Sequence, residues 1–275
     1  VMMIPSMHAD LADDPVTSDL VEEIEKLNIT VHWGKEQEGK RKTPPHDEVV
    51  ARFANYVNKF NPDRKSVVIT VGSTISRIDD VRHVQNTSSG KTGFTIADHL
   101  YRNGHDVTCV AGLTTFTAPP WLPLIIKAKT PDKMLRELLA LTNDKIDAWI
   151  HTAAVLDYVV DKPAEGKLAS QQGPLTINLI ESPKHIIELK EKCRGTVRIG
   201  FKLETGVKHK ELVRRSEAQL EHAEMTAVIA NRLEDIEDKA KPRAYLIDKT
   251  GADFTLQTIN DVCIAINTLV ERGIK

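Results

Sequence analysis

At 275 residues with a formal net charge of −2, the chain lacks the basic excess of a nucleic-acid binder. Its 41% hydrophobic residues can build a real core, yet no run approaches the roughly 18 apolar residues of a membrane span. Neither a secretion signal at Val1–Pro5 nor a disulfide or zinc spacing among Cys109, Cys193 and Cys263 is legible, which fits a reducing cytoplasm.

Residues 1–46 combine scattered apolar positions with a polar stretch at 34–42, and are predicted as an extension that wraps the core or stays partly loose. From Asp47 the pattern tightens into a single domain, 47–275. Val49, Val50, Phe53, Val57 and Phe60 recur at helical spacing, so 47–60 is an amphipathic helix. Ser66–Val71 is a continuous β-branched run, the mark of a strand buried on both faces. A helix then starts near Gly90 and stops near Gly104, followed by a strand at Asp106–Ala111. Thr130-Pro131 caps a helix carrying Met134, Leu135, Leu138 and Leu139. Asp147–Val155 reads as another buried strand, and Ser182-Pro183 opens a further helix. Val197–Phe201, 207–222 and Thr226–Asn231 continue the alternation as strand, helix and strand. Segments 243–248 and 253–257 flank Lys249-Thr250-Gly251 as a hairpin, and a last helix begins at Ile259. Strands alternating with helices give an α/β fold: a Rossmann-like, mostly parallel sheet with helices on both faces, plus a C-terminal β-hairpin.

In such sheets ligands bind beyond the carboxyl ends of the strands. Three segments there are unusual. Gly72-Ser73-Thr74 permits a tight turn and offers hydroxyl and amide donors to a phosphate, although turn chemistry alone also produces it. Asn86 to Gly93 runs into a helix and would expose orphan amides to an anion; an ordinary Ser/Gly cap reads the same way. Gly90-Lys91-Thr92 imitates the end of a P-loop, but Gln85 stands where the first glycine is required. In Ala153 to Tyr158 small residues let a flat group lie against the backbone, with Asp157 placed to hold a ribose, a cation or an amine. A strand-end aspartate capping its own loop is the plainer alternative.

In order and at these distances the segments resemble one family, phosphopantothenate–cysteine ligase, over about residues 47–272. The residues that carry it are Gly72-Ser73-Thr74, Ile78-Asp79, Val81-Arg82, Asn86-x-Ser88-Ser89-Gly90-Lys91-x-Gly93, Ala153-Ala154-Val155-x-Asp157-Tyr158, Lys167, Gly200–Thr205 and Ala230-Asn231. The chain resembles the free-standing form, without the flavin-binding decarboxylase half.

The resemblance implies that the carboxylate of 4′-phosphopantothenate attacks the α-phosphorus of a nucleoside triphosphate and expels pyrophosphate. The amine of L-cysteine then attacks the acyl-nucleotide. Asn86 resembles the residue that holds the acyl carbonyl, and Lys167 the one that neutralises phosphate charge. Gly72, Ser73, Thr74, Ser88, Ser89 and Gly90 match positions around the nucleotide and the substrate phosphate. Ala154, Asp157, Phe201 and Asn231 match the pocket wall and rim. Mg2+, a cytoplasmic homodimer, and no membrane or nucleic-acid partner are also implied; no metal ligand is assigned.

Gln219 and Ala223 occupy the positions where CTP-using relatives resemble a lysine pair, so ATP is expected, with CTP as the alternative. Two rival readings belong to other classes. An NAD(P)-dependent oxidoreductase on the same sheet has support from Tyr158 and Lys162 but lacks the glycine fingerprint. A nucleotide-binding regulator without catalysis would release no pyrophosphate.

Overall fold

A computed structural model describes residues 1–275 except 171, 172, 237, 239, 252, 274 and 275. The chain forms two units, one of Val1–Asn61 with Arg102–Gly104, the other of Pro62–Tyr101 with His105–Lys275. The first unit carries elements of its own where an extension, partly loose, was expected. Its helix Pro15–Lys26 starts on Asp14, whose side chain accepts from the Val16 N–H at 2.8 Å. Short strands Met7–His8, Glu36–Gln37 and Lys40–Arg41 form a three-stranded antiparallel sheet. The helix foreseen from 47 spans His46–Asn58 and groups with this unit.

The second unit is built on eight strands: β1 (Ser66–Val71), β2 (Asp106–Ala111), β3 (Leu124–Lys127), β4 (Ala148–His151), β5 (Val197–Glu204), β6 (Ala227–Arg232), β7 (Ala244–Asp248) and β8 (Asp253–Leu256). Their order is β3-β2-β1-β4-β5-β6-β7-β8. Pairing is parallel from β3 through β6, and β7 and β8 add the antiparallel hairpin. The principal helices are α1 (Lys91–Arg102), α2 (Pro131–Leu141), α3 (His209–His222) and α4 (Ile259–Arg272).

Residue parity decides which face each strand residue covers. Val68, Val110 and Trp149 pack against Met134 and Leu138 of α2. Val228, Ala230 and Ile247 pack against Leu212 and Leu220 of α3. Val71, of opposite parity to Val68, meets Gly93 of α1, where an added Cβ would lie 3.0 Å from both Val71 methyls. The Cys263 Sγ of α4 lies 3.9 Å from the Thr95 carbonyl of α1. Helices therefore cover both faces. Leu138 is fully buried, and each such side chain contributes about 1.5–3 kcal/mol. All three cysteines are buried and free, and desolvation raises each thiol far above the ordinary range, so none is a nucleophile.

In the second unit the helix starts at Thr130 and Thr258 carry side-chain caps, and the one at Thr130 was read from the sequence. Thr130 Oγ1 accepts from Lys133 N at 3.2 Å with Pro131 at the first turn, and Thr258 with Asp261 closes a reciprocal capping box. Two expectations are corrected. β4 ends at His151, not Val155: Ala153 N donates to the Thr70 side-chain Oγ1 (3.1 Å), which interrupts the ladder. Beyond it Ala154 pairs with Ser73 only as an isolated parallel bridge, its N–H donating to the Gly72 carbonyl (2.8 Å). The helix after Ser182-Pro183 is a single turn, His185–Glu188. Strand β3 and two small hairpins, Ile75–Arg77 with His83–Gln85 and Tyr158–Val160 with Leu179–Glu181, were not foreseen.

Candidate functional site

The strand order reverses between β1 and β4, and a cleft of about 840 Å³ opens there, at the carboxyl ends of the strands. Its first wall begins with Gly72. This residue sits at φ +80°, and a Cβ would lie 2.3 Å from the Leu113 carbonyl oxygen. Only glycine fits. Ser73 and Thr74 lie beneath the surface, both fully buried. Ser73 pairs by backbone with Leu113 (3.0 and 2.7 Å), and Thr74 Oγ1 accepts from Leu156 N at 2.9 Å. These two hydroxyl residues are bracing for the turn and do not line the cleft.

Asn86 to Gly93 all face the cleft and lead into α1. Gly90 also has φ +80°, with the site of a Cβ 2.7 Å from Thr114 Cγ2 and 3.2 Å from Val71 Cγ1. The Ser89 carbonyl is fixed by the N–H groups of Thr115 (3.2 Å) and Phe116 (3.0 Å). Asn86 ties this segment to the one after β4: its Nδ2 donates to the carbonyls of Val155 (3.1 Å) and Ala154 (3.4 Å). Ala153 to Asp157 line the same wall, and Asp157 is the only carboxylate among the described residues that line the cleft.

A second set of lining residues contributes side chains to the cleft. Phe201 and Lys202 of β5, Gln219 of α3, Asn231 at the end of β6, and Arg243 before β7 all line it. Gln219 Nε2 donates to the Phe201 carbonyl at 3.4 Å, whereas Ala223 is fully buried and absent from the wall. At the floor lie His151 and His185. Burial, then the charges of Arg198 and His185, push the His151 pKa down to about 3; burial also lowers that of His185. His151 is therefore neutral at ordinary pH. His151 Nε2 and His185 Nδ1 are buried and have no hydrogen-bond partner among the described residues.

Lys167 is exposed and does not line the cleft. Its flanks are nonetheless anchored. Asp79 is 1% exposed; its carboxylate accepts from the N–H groups of Val81 (2.8 Å), Arg82 (2.7 Å) and Leu168 (3.2 Å) and from Arg82 Nε (2.9 Å). Arg82 Nη2 donates in turn to the Leu168 carbonyl at 2.7 Å, and Gly166 N donates to Asp80 Oδ2 at 3.0 Å. Desolvation opposes ionisation of Asp79, but the three amides and the Arg82 charge outweigh it and hold the carboxyl at about 2.

Of the residues singled out in the sequence, the cleft gathers Gly72, Asn86, Ser88, Ser89, Gly90, Ala154, Asp157, Phe201 and Asn231. Ser73, Thr74 and Lys167 stand apart from its lining. His151, His185, Lys184 and Arg243 line it without having been foreseen. His151 closes β4, and the carboxyl-end rule applied residue by residue would have found it; Arg243 carried no local signal. Among the described residues no cluster of three His, Cys, Asp or Glu forms a metal site.

Residues 63–271 match the family described as the DNA/pantothenate metabolism flavoprotein C-terminal domain. The chain is 33% identical over 234 residues to the coenzyme A biosynthesis bifunctional protein CoaBC of Thermococcus kodakarensis, covering 85% of this chain and 57% of that one. Its identity to the same-named protein of Methanocaldococcus jannaschii is 30%, with the same coverage. The chain thus spans little more than half the length of these relatives. Among solved structures, the DNA/pantothenate metabolism flavoprotein of Streptococcus pneumoniae superposes with a TM-score of 0.67 at 25% identity, covering 74% of this chain and 96% of that one. A Cab2 mutant in complex with phosphopantothenate-cysteine shares the fold, with a TM-score of 0.61 at 17% identity and coverage of 81% and 92%.

Proposed function

The chain belongs to the DNA/pantothenate metabolism flavoprotein C-terminal domain family, and from that premise we propose that it joins L-cysteine to 4′-phosphopantothenate, the amide-forming step of coenzyme A biosynthesis. The observation that carries this reading is the cleft at the switch point. Asn86 to Gly93 and Ala153 to Asp157, two segments far apart in sequence, meet there through the Asn86 side chain. Among the described residues the lining also carries four cationic side chains, Lys91, Lys184, Lys202 and Arg243, against the one carboxylate of Asp157. Such a balance suits polyanionic substrates.

A carboxylate and an amine form only a salt at neutral pH, so the carboxylate must be activated. Its oxygen attacks the α-phosphorus of the nucleotide, the bond to the β-phosphate breaks, and pyrophosphate leaves with the electron pair. The cysteine amine then adds to the acyl carbon and nucleoside monophosphate departs. Charge builds first on phosphate oxygens and then on the acyl oxygen, so fixed donors at each place lower the two barriers separately. The exposed amides at the start of α1 serve the first place. We assign Asn86 to the acyl oxygen; its Nδ2 exchanges a carbonyl partner for the substrate when it does so. Lys167 serves the phosphates, and because it stands outside the cleft wall this requires its loop to fold inward over bound substrates.

ATP is the proposed nucleotide, on the strength of Gln219 in the cleft and Ala223 buried away from it. A magnesium ion would enter with the nucleotide and offset phosphate charge. A homodimer in the cytoplasm completes the proposal, since β8 leaves an unpaired edge carrying an exposed Phe254. The test is a coupled pyrophosphate assay with phosphopantothenate and cysteine, run with ATP and with CTP. Pyrophosphate and amide should form together, and ATP should give the larger kcat/KM. Absence of pyrophosphate with either nucleotide would overturn the ligase reading, and a tenfold preference for CTP would overturn the nucleotide assignment.

A further inference from the structure

The cationic residues of the cleft differ in what surrounds their charge. Lys91 and Lys184 are exposed and solvated. Lys202 Nζ pairs with Glu204 at 3.1 Å. Arg243 is unlike all three. It is half-buried, and desolvation lowers its pKa with no neighbouring charge opposing that shift. Its Nη2 donates to Thr92 Oγ1 at 3.0 Å. Its Nη1 donates to Asn231 Oδ1 at 3.0 Å, in the amide orientation that also lets Asn231 Nδ2 donate to the Lys202 carbonyl at 3.1 Å. Both partners are neutral oxygens, and no carboxylate pairs with the guanidinium among the described residues.

A guanidinium has five N–H donors in a rigid fork, and these contacts use two. Burying such a charge without a counter-charge is unfavourable, and the bond to Thr92 makes matters worse. Thr92 is the second residue of α1, so the cation is pinned beside the positive end of a 12-residue helix dipole. Two positive features are thus held together on the cleft wall, with neutral groups alone fixing their geometry. That arrangement is stable with an anion between them, and planar bidentate recognition of phosphate is what the fork does best.

We propose that Arg243 is an anion-binding residue for the β- and γ-phosphates of the nucleotide, the part that leaves as pyrophosphate. This rests on the ligase reading above. The tail of the nucleotide is favoured over the phosphate of phosphopantothenate because Arg243 is tied to Thr92, at the start of α1, whose amides serve the phosphate charge of the first step. As the α-phosphorus bond breaks, the electron pair and its charge pass to the pyrophosphate oxygens, and Arg243 holds that charge without taking or giving a proton.

Calorimetric titration of wild type, Arg243→Gln and Arg243→Lys with ATP, AMP, pyrophosphate and phosphopantothenate tests the assignment. Arg243→Gln should weaken ATP and pyrophosphate about 10- to 100-fold, the loss expected for charged hydrogen bonds, while AMP stays within about threefold. Arg243→Lys keeps the charge without the fork and should fall between them, which also covers the case in which the glutamine variant unfolds. Thermal melting checks the fold of each variant. The assignment is overturned if ATP and AMP weaken equally, if neither changes, or if only phosphopantothenate is lost. Wild type that binds pyrophosphate and ATP through Arg243 but forms no amide would sink the ligase reading and leave the anion site standing. Wild type that binds neither nucleotide nor pyrophosphate removes both.

Discussion

The two walls of the cleft are made differently. The wall of Gly72, Asn86–Gly93 and Ala153–Asp157 takes its shape from backbone: glycines at positive φ, carbonyls fixed by amides, and small side chains. The facing wall of Phe201, Lys202, Gln219, Asn231 and Arg243 takes its chemistry from side chains on regular strands and a helix. A change on the first should therefore deform the site for every ligand, whereas a change on the second should alter one contact and spare the rest. The loop of Lys167 belongs to neither wall.

The largest expected effect is at that loop. Lys167→Gln should cost about 10²–10³ in pyrophosphate release, the usual loss for one donor to a charged transition state. A turnover within about threefold of wild type would place Lys167 outside the reaction and leave the two walls as the whole site. Next comes the backbone wall. Gly90→Ala forces a Cβ to 2.7 Å from Thr114 Cγ2 in a strained conformation, so stability should fall by about 1–3 kcal/mol. Activity should drop about 100-fold, through displacement of the loop, with ATP and phosphopantothenate affinities falling together. If either affinity survived unchanged, the claim that this wall acts as one shaped surface would be wrong.

Asn86→Asp sharpens the comparison, because Asn86 is a side chain that braces backbone. A carboxylate there would repel the carbonyls of Ala154 and Val155 as well as the developing acyl oxygen. Single-turnover measurement should show amide formation slowed about tenfold or more relative to pyrophosphate release. Equal slowing of both steps would make Asn86 a brace only.

The smallest effect concerns Asp79, whose carboxyl is held at about 2 against an ordinary 3.8. A depressed value means that its ionised form stabilises the fold above the ordinary carboxylate range, and that this contribution fades as pH falls toward 2. The difference in melting temperature between wild type and Asp79→Asn should be constant from pH 8 to about 5 and shrink at lower pH. A difference that does not change down to pH 3 would show that the amides around Asp79 hold the Lys167 loop without help from its charge.

The order of strands and helices was legible because buried strands are runs such as Ser66–Val71, and some helix starts carry their own cap, as at Thr130. Local chemistry written in the local sequence is recoverable. β4 was read too long for the opposite reason: Ala153, Ala154 and Val155 suit a strand by composition, but the ladder is interrupted where Ala153 N bonds the Thr70 side chain, and Ala154 pairs again only as an isolated bridge to Ser73. Short elements such as β3 have too few residues to show a period.

For the site, the sequence by itself determined which segments carry glycines and small polar residues, because a positive φ and a close backbone approach demand those residue types wherever they occur. It also determined the ordered pattern of motifs by which the family is recognised. Tertiary structure alone decided which of those residues face the cleft. Ser73 and Thr74 went beneath it, since the turn beside β1, β2 and β4 uses the Ser73 backbone and the Thr74 hydroxyl for its own bonds. It also brought Arg243 to Thr92, 151 positions away in the chain. A buried charge with neutral partners is a property of the surroundings, and the surroundings of Arg243 exist only after β6, β7 and α1 have been assembled around one sheet.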